Sequence, residues 1–381
     1  MKTAFIYSEK FGSVVYSPDH PMRPVRLKLT HELMSATNVL NPPSSEIIIA
    51  RLASEKELLL FHTPEYIKML KEADTGITPA DGPMYGLGFG DNPVFRGVYE
   101  WSCYSVGASL QAAELIASGK YDSAFNIAGG LHHAMPSQAS GFCYLNDPAV
   151  AIKYLVSLGK RVAYVDIDAH HGDGVQHAFY DTDKVLTISL HENGQWLFPG
   201  TGFAADTGTK DGKGFSVNLP LPPGTGDELF IKAFHEVVPP FVEAFRPDVL
   251  VTQLGVDTFA TDPITHLNLT TNGFEEMLCA FKSMGVPWVA LGGGGYDLSN
   301  VSRAWTLAWA VMNDVMAPEA VPLEFMKANK EIFRTPQLRD KPLESLPIKD
   351  EDIKAVYADI AFLKKTALPL VKKAHGKKRF I

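Results

Sequence analysis

The 381-residue chain has only three cysteines, Cys103, Cys143 and Cys279. So sparse and odd a count supplies neither a disulfide framework nor a Cys-rich zinc site. Any metal must then be held by histidines and carboxylates. Long hydrophobic runs are missing too: no stretch approaches the roughly 20 apolar residues of a membrane span. The first apolar stretch, Ala4-Phe5-Ile6-Tyr7, is too short for a signal-peptide core and reads as a first strand. A cytoplasmic protein without a membrane partner is the expectation. A basic excess is also lacking, since 35 Lys+Arg face 43 Asp+Glu for a net charge of −8. A dedicated nucleic-acid binder would carry a basic face, so none is expected as a partner. There is no internal repeat and no low-complexity linker.

What is present is a soluble globular composition, 46% hydrophobic, 20% charged and 10% aromatic, which excludes disorder. Length alone allows two or three domains, but the pattern along the chain weakens that prior. Short apolar, β-branched runs alternate with longer helical stretches. The strand expectations are Ser123–Ile127, Arg161–Asp166, Val185–Ser189, Asp248–Leu254 and Val286–Leu291. The helix expectations are Ser105–Ser118, Pro148–Leu158, Asp227–Phe245, Gly273–Met284 and Val301–Met312. Such alternation predicts an α/β fold with a mostly parallel sheet covered on both faces. The segment from Glu72 to Phe95, rich in Gly, Pro and Asp, reads as a long functional loop. Five basic residues between Lys372 and Arg379 read as a solvated tail.

Open parallel sheets bind ligands beyond the carboxyl ends of their strands. There the chain places Gly129-Gly130-Leu131-His132-His133, then Asp168-Ala169-His170-His171-Gly172-Asp173, then Gly255-Val256-Asp257, then Gly292-Gly293-Gly294-Gly295-Tyr296. In extended backbone, residues i and i+2 point the same way, so Asp168 and His170 converge. Asp257 is the best third ligand, leaving a coordination position open for water and substrate. An isolated Asp-x-His would read as loop hydrogen bonding; with Asp166, His171 and Asp173 packed around it, the metal reading prevails. His132 and His133 could serve as general base and acid if Asp166 and Asp173 orient them. Tyr296 could donate to a developing oxyanion. No Lys-Ser/Thr follows the glycines, so a phosphate loop is not supported. Phe142 and Phe198 suit the walls of a narrow channel. Together these parts describe a metal-assisted hydrolase acting on a carbonyl carbon.

These segments resemble the zinc-dependent deacetylases of the histone-deacetylase superfamily, class I type. The likeness is carried by Gly129 to Ala134, Gly141-Phe142-Cys143-Tyr144-Leu145-Asn146, Asp166 to Gln176, Ser189-Leu190-His191, Phe198 to Gly202 and Gly292 to Tyr296. It runs from Tyr7 to about Trp309. Arg51 to Ser54, Tyr85 to Gly88 and His191 to Pro199 look most like bacterial acetoin-utilization deacetylases. The resemblance implies one arginase–deacetylase domain with an eight-stranded parallel sheet flanked by helices. Its core would span about 3–315, followed by a helical extension and basic tail over 316–381. It implies zinc, with Fe(II) as the alternative, on Asp168, His170 and Asp257. His132 paired with Asp166, His133 paired with Asp173, and Tyr296 would be catalytic, with His133 as base and acid. Asp91, Gly141, Phe142, Phe198 and Ile264 would contact substrate. A structural potassium is implied at Asp166, Asp168, His170, Ser189 and Leu190, and a second at Phe179, Thr182, Val185 and Phe215.

The implied substrate is an acetylated protein or peptide, such as acetyl-CoA synthetase. Leu197 and Ile264 depart from the eukaryotic pattern near the tunnel mouth, which weakens a histone preference. Asp173, where polyamine deacetylases have Asn, argues against a polyamine. Small N-acetylated amines stay open as substrates. An arginase-like ureohydrolase lacks support because Gly172 and Thr258-Phe259 stand where second-metal carboxylates are needed. An inactive acetyl-lysine binder lacks support because every catalytic residue type is present.

Overall fold

The computed structural model describes residues 1–88, 90–344 and 346–376. The last five residues of the predicted basic tail lie outside them. Eight strands follow in chain order: β1 Thr3–Tyr7, β2 Ser45–Ile49, β3 Ser123–Asn126, β4 Val162–Asp166, β5 Val185–Glu192, β6 Ser216–Leu221, β7 Val249–Gln253 and β8 Trp288–Leu291. They form one parallel sheet in the order β2-β1-β3-β8-β7-β4-β5-β6. The interior strands are buried at every position, as sheets covered by helices on both faces require. The expected α/β architecture is therefore observed.

Register explains why the site forms at one level. Ser189, Asp166, Gln253, Leu291 and Asn126 pair in sequence across β5, β4, β7, β8 and β3. The three inner strands and β3 end on this row, and the loops leave from a common rung. Backbone bonds carry the ladder slightly further, with Leu254 N–H donating to the Leu291 carbonyl and Val256 N–H to that of Gly294.

The structure revises several boundaries. The helix expected over Ser105–Ser118 begins at Val98 and runs to Ala117, because Val98, Trp101 and Ser102 are already buried. Two strands, β2 and β6, went unrecognised. Both lie at sheet edges, where the apolar signal is weak: β2 is largely exposed, and β6 carries Pro220, tolerated at an edge where no ladder donor is needed. Beyond residue 316, the helix Asp350–Thr366 packs on β6 and on the helix Asp227–Phe245, and the helix Leu368–Gly376 packs on the latter.

Candidate active site

The loops leaving the common rung bring together the residues expected to bind metal. Asp168, His170 and Asp257 are buried, and their ligand atoms lie within 4.8 Å of one another. His170 Nδ1 is 3.1 Å from Asp168 Oδ1 and 2.9 Å from Asp257 Oδ2. Ligand atoms about 2.0–2.1 Å from one tetrahedral cation would stand roughly 3.3 Å apart, so the donor set fits a small divalent ion. Its charge fits as well. Burial disfavours protonation of His170, yet the two carboxylates outweigh it and hold the imidazole up at about 10. A divalent cation satisfies the same two carboxylates while leaving the ring neutral. The outer oxygens are fastened by protein donors. Asp168 Oδ2 accepts from Gln253 Nε2 at 2.5 Å and from Gly294 N–H at 2.7 Å. Asp257 Oδ1 accepts from Ala169 N–H at 2.8 Å. Side chains are excluded at residue 294, where a Cβ would sit 2.2 Å from Asp257 Oδ2.

The histidine pair stands beside this cluster. His132 Nδ1 donates to Asp166 Oδ2 and His133 Nδ1 to Asp173 Oδ1, each at 2.7 Å. Both Nε2 atoms then face each other at 3.0 Å, a distance that calls for one proton between them. The surrounding charges decide where it resides. For His132, burial is outweighed by Asp166 and Asp168, which hold it up at about 9. For His133, burial and the charge on His132 push it down to about 4, leaving Nε2 as a base. Asp166 is fixed in turn by the Tyr164 hydroxyl at 2.6 Å.

Tyr296 follows the four glycines, and its backbone N–H donates to Asp262 Oδ2 at 2.8 Å. Burial, reinforced by Asp257 and Asp168, holds its phenol well above the ordinary value, so it remains a proton donor. The channel expectations also converge here. The Phe142 ring lies 5.6 Å from that of Tyr296, and the Phe198 ring lies 5.0 Å from that of His133. Gly141 has φ +51°, and a Cβ on it would lie 2.5 Å from His133 Cδ2 and 2.8 Å from Phe198 Cε1. Asp91 is exposed, and its carbonyl accepts from His20 Nε2 at 3.2 Å. Ile264 is half-buried, its N–H bonded to Asp262 Oδ1.

The residues expected around potassium fall in two places. Asp166 and Ser189 are register partners, with Leu190 next in β5 and Asp168 and His170 just beyond β4. Phe179 ends the helix Asp173–Phe179, Val185 begins β5, and the Phe215 carbonyl accepts from Thr187 N–H. With Thr182 this second group lies toward the opposite end of the sheet.

Sequence reading missed the residues that hold the loops. Arg26, 3% exposed, donates to the carbonyls of Gly295 and Gly293 at 2.8 and 2.7 Å. His62 Nε2 accepts from Asn146 N–H, while Asn146 Nδ2 donates to the carbonyls of His132 and Ala134. Asp147 accepts from Gly130 N–H, Leu131 N–H and the Ser109 hydroxyl. Two signals were available: Arg26 sits among apolar residues at helical spacing, and Gln253 is a polar residue ending an apolar strand.

With the geometry in hand, likeness to known proteins is decisive. The histone deacetylase domain family matches residues 20–312. The chain belongs to the histone deacetylase family. It is 42% identical over 332 residues to the acetoin utilization protein AcuC of Bacillus subtilis, covering 85% of each chain. It is 39% identical over 327 residues to the histone deacetylase RPD3 of Saccharomyces cerevisiae, covering 84% of this chain and 74% of the relative. The crystal structure of a histone deacetylase homologue from Aquifex aeolicus superimposes with a TM-score of 0.87 at 36% identity, covering 96% of this chain and 100% of that one. As a histone deacetylase family member, the chain falls among hydrolases of acetylated substrates. No described helix is long and apolar enough to cross a membrane.

Proposed function

We propose that the protein is a metal-dependent amidohydrolase that removes acetyl groups from acetyl-lysine side chains of proteins. The observation that carries this reading is the meeting of an Asp168–His170–Asp257 donor set with two His–Asp pairs and Tyr296, beside the rings of Phe142 and Phe198. A zinc or ferrous ion on those three ligands would polarise the acetyl carbonyl and make water acidic. His133 Nε2 accepts the proton from water as the carbonyl carbon is attacked and then returns it to the departing lysine amine. Asp173 holds the ring in the tautomer that this exchange needs. His132, oriented by Asp166, stands beside the same centre with its Nε2 turned toward His133. The Tyr296 hydroxyl donates to the carbonyl oxygen as it gains charge. Phe142, Phe198 and the bare backbone of Gly141 admit a linear alkyl chain and exclude bulk, with Asp91 and Ile264 at the rim.

Potassium at the two predicted groups is part of the same proposal. Support for the first group is the pairing of Asp166, at the end of β4, with Ser189, next to Leu190 in β5.

The test is acetate release from acetyl-lysine peptides by zinc- or iron-loaded protein. Turnover abolished by chelator and restored by metal is expected. Release from no acetyl-lysine peptide, or turnover that resists chelation, would overturn the proposal.

A further inference from the structure

A second cleft lies beside the tunnel mouth. It measures about 520 Å³ and is lined by Trp196, Pro222, Pro223, His266, Ile348 and Asp352, among others. That is within the roughly 300–1,000 Å³ of ligand-sized pockets. Two of its walls come from the loops that bear the rim residues. Trp196 is two residues from Phe198, and His266 is two residues from Ile264. Two residues of chain span at most about 7 Å, so cleft and mouth are neighbours. The third wall, around residues 347–359, lies beyond the 20–312 family match. It closes one side of the concave site.

The lining is built for recognition rather than for packing. Trp196 stands 67% exposed, and large aromatic surfaces of this kind dominate binding energies at interfaces. The lining also includes prolines and Ile348, which offer apolar surface, beside Lys349, Asp352 and Asp359. His266 is oriented from behind: its Nδ1 donates to Glu192 at 2.8 Å, and the Glu192 side chain is fully buried. The His266 side chain is 59% exposed, which leaves Nε2 able to hydrogen-bond a peptide group.

We infer that this cleft docks the polypeptide flanking the acetyl-lysine, taking an apolar or aromatic side chain two or three residues from the modified position. The inference rests on the deacetylase reading above. An extended peptide rises about 3.3 Å per residue, so such a side chain falls roughly 7–10 Å from the lysine entering the tunnel. A small acetylated amine has nothing to place there. The cleft thus favours a protein substrate over a small one.

Two substrates test it on the metal-loaded protein: a blocked single acetyl-lysine, and a nine-residue acetyl-lysine peptide with Phe at the second or third flanking position. For the unaltered protein, kcat/KM is expected to be at least tenfold higher on the peptide. Trp196→Ala should lower peptide kcat/KM at least fivefold through KM and leave the single residue within twofold. Ala355→Trp, which fills the cleft from its far wall, should do the same without touching the loops. Equal kcat/KM on both substrates, or equal loss on both in both variants, overturns the inference. So does a variant-induced change in molecular mass by light scattering, which would assign the cleft to self-association. Absence of turnover on both substrates by the unaltered protein would instead refute the deacetylase reading.

Discussion

At the scale of single residues, the site is a set of imidazoles whose roles are set by what stands behind them. His132 and His133 are chemically identical and adjacent, yet their surroundings push them apart, to about 9 and about 4. Removing the base should therefore be far more damaging than its size suggests. His133→Ala and Tyr296→Phe are each expected to lower kcat by roughly 10²-fold or more, measured by acetate release. A near-native rate in either would remove that residue from its role. Gly172 tests the support of His132. Its backbone is ordinary, with φ −74°, but a Cβ would lie 2.5 Å from Asp166 Oδ2. Gly172→Ala should thus fold, and lose at least tenfold in kcat by displacing Asp166. His62 gives a prediction on pH. Burial, only partly offset by the Pro136 carbonyl, pushes it from 6.5 down to about 4. The unfolded chain takes up that proton first. Stability is then intact above pH 6.5 and is lost as pH falls toward 4, by up to about 1.4 kcal/mol per pH unit for this one proton. Urea denaturation between pH 7 and 4.5 should show a shallower decline in His62→Gln.

At the scale of elements, legibility followed the continuity of the apolar pattern. The interior strands read correctly because both their faces are covered and their sequences are almost wholly apolar. The helix Asp227–Phe245 was legible end to end despite Pro239 and Pro240, because Phe230, Phe234, Val237, Phe241 and Phe245 keep one apolar face. β2 and β6 were not legible, because β2 is largely exposed, while β6, buried throughout, breaks its apolar run with Ser216, Asn218 and Pro220. The metal and histidine residues could be found from their place after strands; Arg26 left only the hint of a charge at an apolar helical position, and His62 and Asn146 left none, because the partners of all three are defined only by the folded path of the chain. The same holds for the strap formed by residues 338–340. Arg303, 3% exposed, pairs with Asp340 at 2.7 Å, and Arg339 grips Glu275 with two nitrogens. The charge left behind on Asp340 is 25% exposed. Arg303→Met is expected to destabilise the fold by about 2 kcal/mol, read from urea denaturation midpoints; a change below about 0.5 kcal/mol would show the strap to be ornamental.

At the scale of the whole molecule, two carboxylates and an imidazole held within one core should make the fold responsive to cations. A ligand that binds only the folded state raises stability with the logarithm of its concentration over its dissociation constant. Dialysis against chelator is expected to lower Tm by several degrees, and stoichiometric zinc to restore it, as followed by calorimetry. An unchanged Tm would mean that these three residues hold no ion.

Arg26 carries a further consequence, for how the protein is made. Its guanidinium is buried against carbonyls 267 and 269 positions later in the chain. A ribosome releases the amino-terminal end first. During synthesis this charge must therefore remain hydrated until residues 293–295 emerge. Arg26, Asp168 and Asp262 can fasten the Tyr296 loop only once it emerges, so a nascent deacetylase gains its catalytic order only after more than three-quarters of the chain has been made.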